Sequence, residues 1–404
     1  MKIASAGSIK PDSRAAIREA CDTLKRKLGA PPTMVFAHWS VAHSAPTIGE
    51  EIARRFPGCR FHGASSCRGA MTEEGVLFSA GYGLALLGIA DPGGAYGVAS
   101  RGFADDPRQN AARAVLEAIA DAGRPGEMPD LVRLLSTPGR ENEVLAGIED
   151  VLGPGIAIIG GSAADNDVGG DWKIISAGTC FGQGLSVGVL YPSTPLYFSF
   201  HNGYSPADHR GTVTATHGRI ITSIDHHPAA QVYNEWTNGL ISQVLPAGGP
   251  VLNTTTLNPL GRVVGHIGSV PYFNLAHPDR VSADGGLSTF ADISPGEELV
   301  LMQGTVETLI SRAGRVAQAA SQGGHIPPER ISGALVTYCA GCMLTVKERI
   351  DEVVTSLNKA MANRPFLGSF TFGEQGCFSG GENRHGNLMI SVIIFSGPAD
   401  HGQR

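Results

Sequence analysis

The sequence has no basic excess. Lys and Arg number 31 against 37 Asp and Glu, a net charge of −6 over 404 residues, whereas a nucleic-acid binder needs a clustered basic stripe. It has no apolar run approaching the ~18 residues of a membrane span. Residues 1–14 lack the apolar stretch of a secretory leader, so no signal peptide is expected. Cysteine is sparse: seven residues, irregularly spaced, which suits free thiols in a reducing compartment and excludes a disulfide framework. A G-x-S-x-G elbow, a phosphate-binding P-loop, H-E-x-x-H and an intact dinucleotide fingerprint are all missing. With no catalytic constellation visible, the expectation is a cytoplasmic protein that is not an enzyme, binding no nucleic acid and entering no membrane.

Apolar residues make up 42% and charged residues 17% of the chain, the balance of a globular protein. Its length predicts two domains. The 54 glycines exceed the usual share of about 7% and cluster between apolar segments. One pattern occurs three times. Near the C-terminus, residues 334–338 read as a strand and 339–342 (Cys-Ala-Gly-Cys) as a loop. Ile350, Val353, Val354, Leu357 and Met361 then form an apolar stripe of helical period. A second strand follows at 366–371, then Gly373-Glu374-Gln375-Gly376 and Gly380-Gly381-Glu382-Asn383. The last strand, 388–395, is apolar throughout and so is expected to be buried on both faces.

The first copy runs from a strand at 34–38 through a helix marked by Ile48, Ile52 and Phe56 to strands at 61–66 and 84–89. The next runs from 131–135 through Val144, Leu145, Ile148, Val151 and Leu152 to strands at 156–159 and 185–190. Matched second strands end in Gly-Ala-Ser-Ser (63–66), Gly-Gly-Ser-Ala (160–163) and Gly-Ser-Phe-Thr (368–371). Three matches in the same order predict repeated units sharing a core. Strand–helix–strand with two apolar strands implies a crossover and parallel pairing. The predicted fold class is α/β, with repeated β-α-β-β units in mixed sheets. Further helices are expected at 15–28 and 110–122.

Residues 193–330 read differently. Strands are expected at 196–200 and 298–303 and a helix at 306–320. Two β-branched runs, 212–216 and 219–224, flank His217-Gly218 as a hairpin. Pro228 suits the first turn of a helix carrying Val232, Tyr233 and Trp236. Residues 251–290 show no clear period. The domain boundary is placed at 191–195, giving domains 1–192 and 193–404.

The run 366–374, then Gly380-Gly381-Glu382-Asn383 and His385, preceded by Cys339-Ala340-Gly341 and 348–351, resembles the closing signature of the FIST family. Residues 160–166 (Gly-Gly-Ser-Ala-Ala-Asp-Asn) are similar to the central motif of that family's N-terminal half, and the resemblance spans the whole chain. It implies a two-part sensory module of signal transduction that binds a small ligand such as an amino acid. One bacterial branch of similar length implies haem binding, nitric oxide sensing and regulation of a partner histidine kinase.

Ligands of open α/β sheets gather at the C-terminal ends of strands, so the three repeat turns are the expected wall of a site. The candidates there are Ser65, Ser66, Arg68, Gly161, Ser162, Asp165, Asn166, Thr371, Glu374, Asn383 and Arg384. Gly161 and Ser162 offer backbone N–H groups to an anion, Asp165 and Asn166 a partner for an ammonium, and Arg384 a fork for a carboxylate or propionate. Each of these also has a structural reading, as a cap or a loop tie. A haem iron needs a neutral imidazole or a thiolate. Among the strand-end histidines, His38, His43, His62, His201, His217, His266 and His385, the candidate is His201, beside Phe198, Phe200 and Tyr204. The alternative is a thiol redox or metal-binding protein. Cys339-x-x-Cys342 at a strand-to-helix step would lower a thiol pKa, and Cys339, Cys342, Cys377 and His385 would form a zinc set.

Overall fold

Each repeat begins with a strand, concealed in the sequence of units one and two but expected in unit three, and hands a hairpin to its neighbour before its closing strand. The computed structural model describes residues 1–103, 106–176 and 179–397. In the first unit, strand Lys2–Ser8 leads to helix Ser13–Leu28, strand Met34–Trp39, helix Ala45–Arg55 and strand Arg60–Ser65. A hairpin follows, Ala70–Thr72 with Gly75–Leu77, and then strand Leu84–Ala90. The second unit repeats this with Ala95–Gly102, Pro107–Asp121, Leu131–Ser136, Glu141–Leu152, Ile158–Ser162, the hairpin Ile174–Ser176 with Thr179–Phe181, and Gly184–Tyr191. The third comprises Leu196–His201, helix Val306–Gly323, Ile331–Cys339, helices Ala340–Thr345 and Ile350–Met361, Phe366–Thr371, the hairpin Glu374–Cys377 with Asn383–Gly386, and Ile390–Ser396. The fold is α/β with mixed sheets. Each crossover joins parallel strands, as Met34↔Arg60 and Ala334↔Phe366 show, while the closing strand of each unit inserts antiparallel between them and the opening strand.

The helices start where their chemistry dictates. Asp12, Ser44 and Asp106 accept backbone N–H groups at their N-caps, with Pro46 and Pro107 in the first turns, and Thr305 and Thr308 form a reciprocal capping box. Gly29 ends the first helix in a left-handed conformation, φ +64°. The strands are buried on both faces. Met34 and Phe36 enter a central core with Leu87, Ile159, Leu335, Leu367 and Phe395, drawn from all three units. Val35, Ala37 and Trp39 alternate outward against Ile17, Leu24, Ile48 and Ile52 of the helices. This double burial makes the strands apolar runs without alternation.

The hairpins are exchanged in a cycle. That of unit one pairs with Phe366–Thr371 of unit three, that of unit two with Arg60–Ser65 of unit one, and that of unit three with Ile158–Ser162 of unit two. Equivalent backbone bonds close each junction: Cys67 N–H to Phe370 O at 3.0 Å, Ala164 N–H to Ser65 O at 3.1 Å, and Phe372 N–H to Ser162 O at 3.1 Å.

Between the first strand and first helix of unit three lies an inserted antiparallel sheet. Its strands include Ser205–His217, Ile220–Ile224, Leu260–Ile267, Val270–Ala276, Pro278–Val281, Leu287–Thr289 and Glu298–Gln303. The last four strands before Glu298 fall in the 251–290 stretch that shows no period in sequence. The hairpin at 217–220 is present, but the paired residues are His217 and Ile220, so its two-residue link is Gly218-Arg219, with Gly218 at φ +58°.

Candidate functional site

Three repeat turns and the inserted sheet converge on a cavity of about 490 Å³. Unit one contributes Arg68, unit two Pro138, Val168 and Trp172, and unit three Cys339, Lys347, Thr371 and Phe372. The insert closes it with Leu252, Thr256, His277 and Phe290. The strands end here because their glycine-containing turns lie at matched heights, so C-terminal ends of all three units face one space. Two cations reach the cavity, and no Asp or Glu is among its lining residues. Arg68 sits at φ +65°, a conformation uncommon for a non-glycine residue. The Asn166 side chain holds it there by accepting the Arg68 N–H at 2.7 Å while donating to Ser40 Oγ at 3.0 Å. The half-buried Arg68 guanidinium has no ion-pair partner among the described residues. Lys347 has Glu348 at 3.7 Å, an exposed contact of little weight. The opposite character comes from rings: Trp172 and Phe372 meet edge to face at 6.3 Å, and Phe290 packs against His277. Burial lowers His277 to about 4, partly offset by a backbone bond to Leu252, so its imidazole is neutral.

Beneath the cavity, helix Val306–Gly323 buries an arginine. Arg312 is 1% exposed; its Nη1 donates to Leu388 O at 2.7 Å, while Nε and Nη2 have no hydrogen-bond partner. Its guanidinium lies 5.0 Å from the Tyr338 ring and 5.8 Å from that of Tyr204. Tyr204 Oη donates to Thr256 O at 2.8 Å and lies 3.5 Å from Cys342 Sγ. Glu374, fully buried, accepts from Thr371 Oγ1 at 2.6 Å and Met389 N–H at 3.0 Å. Burial pushes its carboxyl up to about 8 despite those two bonds.

Of the residues singled out in sequence, the structure brings Arg68, Cys339 and Thr371 to the cavity. Asn166 acts one step back, on Arg68. Asp165 spends both carboxylate oxygens on the backbone N–H groups of Asp167, Val168, Gly170 and Asp171, so it shapes the loop that carries Val168 and is not free for an ammonium. Ser65 Oγ accepts from Lys173 N–H, and Ser66 Oγ from Phe370 N–H. Gly161 is buried in a strand pairing, opposite Glu374. Ser162 donates to Glu141, and Asn383 ties the exchanged hairpin to Ile158, Ile156 and Glu149. Arg384 is exposed and pairs with Glu382, away from the cavity lining.

His201 is exposed and bonds through Nδ1 to Asn202 O. Phe200 packs on Phe378 at 5.0 Å, and Tyr204 is committed to Thr256. This filled cluster offers no slot for a porphyrin, so the residues around His201 do not fit a haem. His38 and His62 are buried, lowered to about 3 by burial and then by Arg133, and each holds a backbone carbonyl, of Ala64 and Ser186. Among the described residues no three His, Cys, Asp or Glu side chains are grouped to hold a metal ion; Cys377 lies in the central core and His385 against Gln375. The residues missed in sequence are Lys347, Trp172, His277, Phe290 and Arg312. Arg312 alone left a signal, a charge interrupting the apolar stripe Leu309, Ala313 and Val316.

The fold and cavity define a repeat-built α/β protein for binding a small ligand. The chain belongs to the FIST family: the FIST N domain model matches residues 33–227 and the FIST C domain model residues 229–377. Domains of this family are small-ligand sensors in signal transduction. No curated protein matches the sequence. Among solved structures, cyanuric acid hydrolase from A. caulinodans is similar at 10% identity with a TM-score of 0.41, covering 98% of this chain and 99% of that one. A PurLQS structure from Thermotoga maritima is similar at 12% identity and 0.23, covering 97% and 71%. At these values the likeness assigns neither activity nor substrate. No described helix is long and apolar enough to cross a membrane.

Proposed function

We propose that the cavity binds a small organic anion, a carboxylate with a compact apolar body, and that a partner protein reads its occupancy. The observation that carries this is the lining: Arg68 without an ion-pair partner and Lys347 beside Trp172, Phe290 and Phe372, with no acidic side chain. A guanidinium fork pairs a carboxylate through two bonds, and a cavity of this size suits a ligand of amino-acid to small-drug dimensions. An amino acid would leave its ammonium to neutral oxygens, since Asp165 is occupied by its own loop. We read the site as a receptor and not a catalyst, because Glu374 lies buried behind Thr371 and outside the lining. Seven unpaired cysteines support a cytoplasmic setting, where a histidine kinase or comparable effector would be the partner.

The test is a thermal-shift and calorimetric screen of small carboxylates, amino acids included, against wild type and Arg68→Ala. A ligand at 100 times its Kd adds about 2.7 kcal/mol, and the variant is expected to weaken binding at least tenfold. A stoichiometric Soret band shifted by nitric oxide, with no carboxylate binding, would replace this reading with haem sensing.

A further inference from the structure

The Cys339-x-x-Cys342 pair lies in the wall of the cavity and directly above the buried arginine, and neither the repeat architecture nor an anion receptor requires it. Cys339 ends strand Ile331–Cys339 and lines the cavity at 6% exposure; Cys342, three residues on in helix Ala340–Thr345, is fully buried. Cys339 is the N-cap of that helix (φ −58°, ψ 132°), and a hydrogen bond between the two sulfurs sets them in contact. Cys342 Sγ is in contact with Tyr204 Oη at 3.5 Å. Arg312, whose Nε and Nη2 lack partners, has no carboxylate at ion-pair distance among the described residues. A guanidinium taken out of water needs a counter-charge. The nearby acids are Cys342, Cys339, Tyr338, Tyr204 and Glu374. Burial opposes ionisation of Cys342, but the hydrogen bond from Cys339, the Arg312 charge and the Tyr204 hydroxyl outweigh it and bring the thiol down to about 6. Burial and the same Cys339–Cys342 bond push Cys339 the other way. One thiolate beside one thiol, at a cavity wall, is the arrangement of a reactive dithiol.

We propose that Cys339 and Cys342 form a redox-sensitive dithiol that a small hydroperoxide entering the cavity converts to a disulfide, releasing Arg312 from its counter-charge. In the first step the Cys339 proton passes to the Cys342 thiolate and the Cys339 sulfur attacks the peroxide. An S–O bond forms, the O–O bond breaks, and hydroxide leaves. In the second step the Cys342 sulfur displaces the new hydroxyl from Cys339. An S–S bond forms, the S–O bond breaks, and the Cys342 proton departs with that oxygen as water. With hydrogen peroxide, one thiol and one thiolate give one disulfide, one water and one hydroxide. Arg312 then stands buried beside a neutral disulfide, so helix Val306–Gly323 must shift or Glu374 must ionise in place of Cys342. Ionisation of Glu374 acts on Thr371, which bonds it at 2.6 Å and lines the cavity, so oxidation state and ligand affinity are coupled through that pair.

This inference is independent of the anion reading, because the disulfide is expected in ligand-free protein. The experiment treats reduced full-length chain with stoichiometric hydrogen peroxide, alkylates the remaining thiols after unfolding, and maps peptides without reduction. The expected product links Cys339 to Cys342 and leaves buried Cys21 and Cys67 free. Exposed Cys180 serves as the control for oxidation by access alone. Cys342→Ser removes both the base and the resolving sulfur and is expected to leave Cys339 as an unoxidised thiol that dimedone does not label, and Arg312→Lys is expected to slow disulfide formation at least tenfold. Oxidation of Cys180 with Cys339 and Cys342 both still alkylatable would overturn the proposal, and this wild-type map decides even if the Arg312 variant does not fold.

Discussion

Units one and two differ from unit three in what they bury. The first helices of units one and two bury small and apolar side chains, with Asn110 the polar exception. The corresponding helix of unit three buries Arg312 in the same layer and faces a thiol pair. Unit three also accommodates the inserted sheet, tied back to unit two by Arg219, which bonds Glu141 at 3.0 Å and Asp292 at 2.7 Å. Buried charge is not confined to the third copy, since Arg133 of unit two is also 1% exposed in its strand, but only unit three buries a cation on its first helix and carries a roof. Matched backbones thus carry unequal chemistry, and the copy whose connection was interrupted is the one that sets a thiol pair beside a buried arginine.

The sharpest way to break this comparison is to make unit three like the others. Arg312→Met strips the guanidinium from Cys342, whose thiol then takes up a proton, and leaves the buried Leu388 carbonyl without its donor, a loss of about 1–3 kcal/mol. Urea unfolding of the reduced protein should show that loss; a change below about 1 kcal/mol would mean that the Leu388 carbonyl does not depend on Arg312. Next come the matched glycines. A methyl group on Gly160 would strike the Leu134 carbonyl, whereas on Gly368 it would meet the movable Met71 side chain at 2.5 Å. Gly160→Ala is therefore expected to cost about 2–3 kcal/mol and Gly368→Ala about 1 or less, and equal losses in denaturant would refute the distinction.

A smaller effect lies in pH. Glu374 is held at about 8, above its ordinary value of 4.5, chiefly by burial. Its contribution to stability is complete below about pH 4.5 and is lost as pH rises through about 8. In Glu374→Gln, which keeps the shape of the neutral acid, the Tm difference from wild type should move in the variant's favour between about pH 5 and pH 8. Cys342, lowered, acts in the opposite direction over part of that range and is common to both proteins. A pH-independent difference would show that Glu374 does not titrate there. The smallest effect is at the surface: Asp150→Asn removes the exposed partner of Arg108 and should leave Tm unchanged.

Much of the repeat was legible because strands buried on both faces become uninterrupted apolar runs. Met34–Trp39, Phe366–Thr371 and Glu298–Gln303 stand within a residue of their expected bounds. The opening strand Lys2–Ser8 was not, because Ala, Ser and Gly fill it and lack the β-branched signature. The hairpin exchange was invisible for another reason: which sheet Glu374–Gly386 joins is decided by a strand more than 200 residues away. That choice also determines the site. It commits Asn383 to a structural tie and leaves Arg384 in solvent, while Arg68, on a turn held by Asn166, reaches the cavity. Lys347, Trp172 and Phe290 carry no local mark, since only the tertiary fold gathers them.

The exchanged hairpins also bear on how such a molecule could arise. Each unit gives one hairpin and accepts one, so its valence is two. A single copy would fold back on itself or leave a strand edge bare, and an open pair would keep one donor and one acceptor unmatched, an invitation to polymerise. Three copies in one chain close the circuit, and every donated hairpin has a berth. An ancestral gene holding one repeat would then have worked as an assembly of separate chains before fusion made the partners permanent.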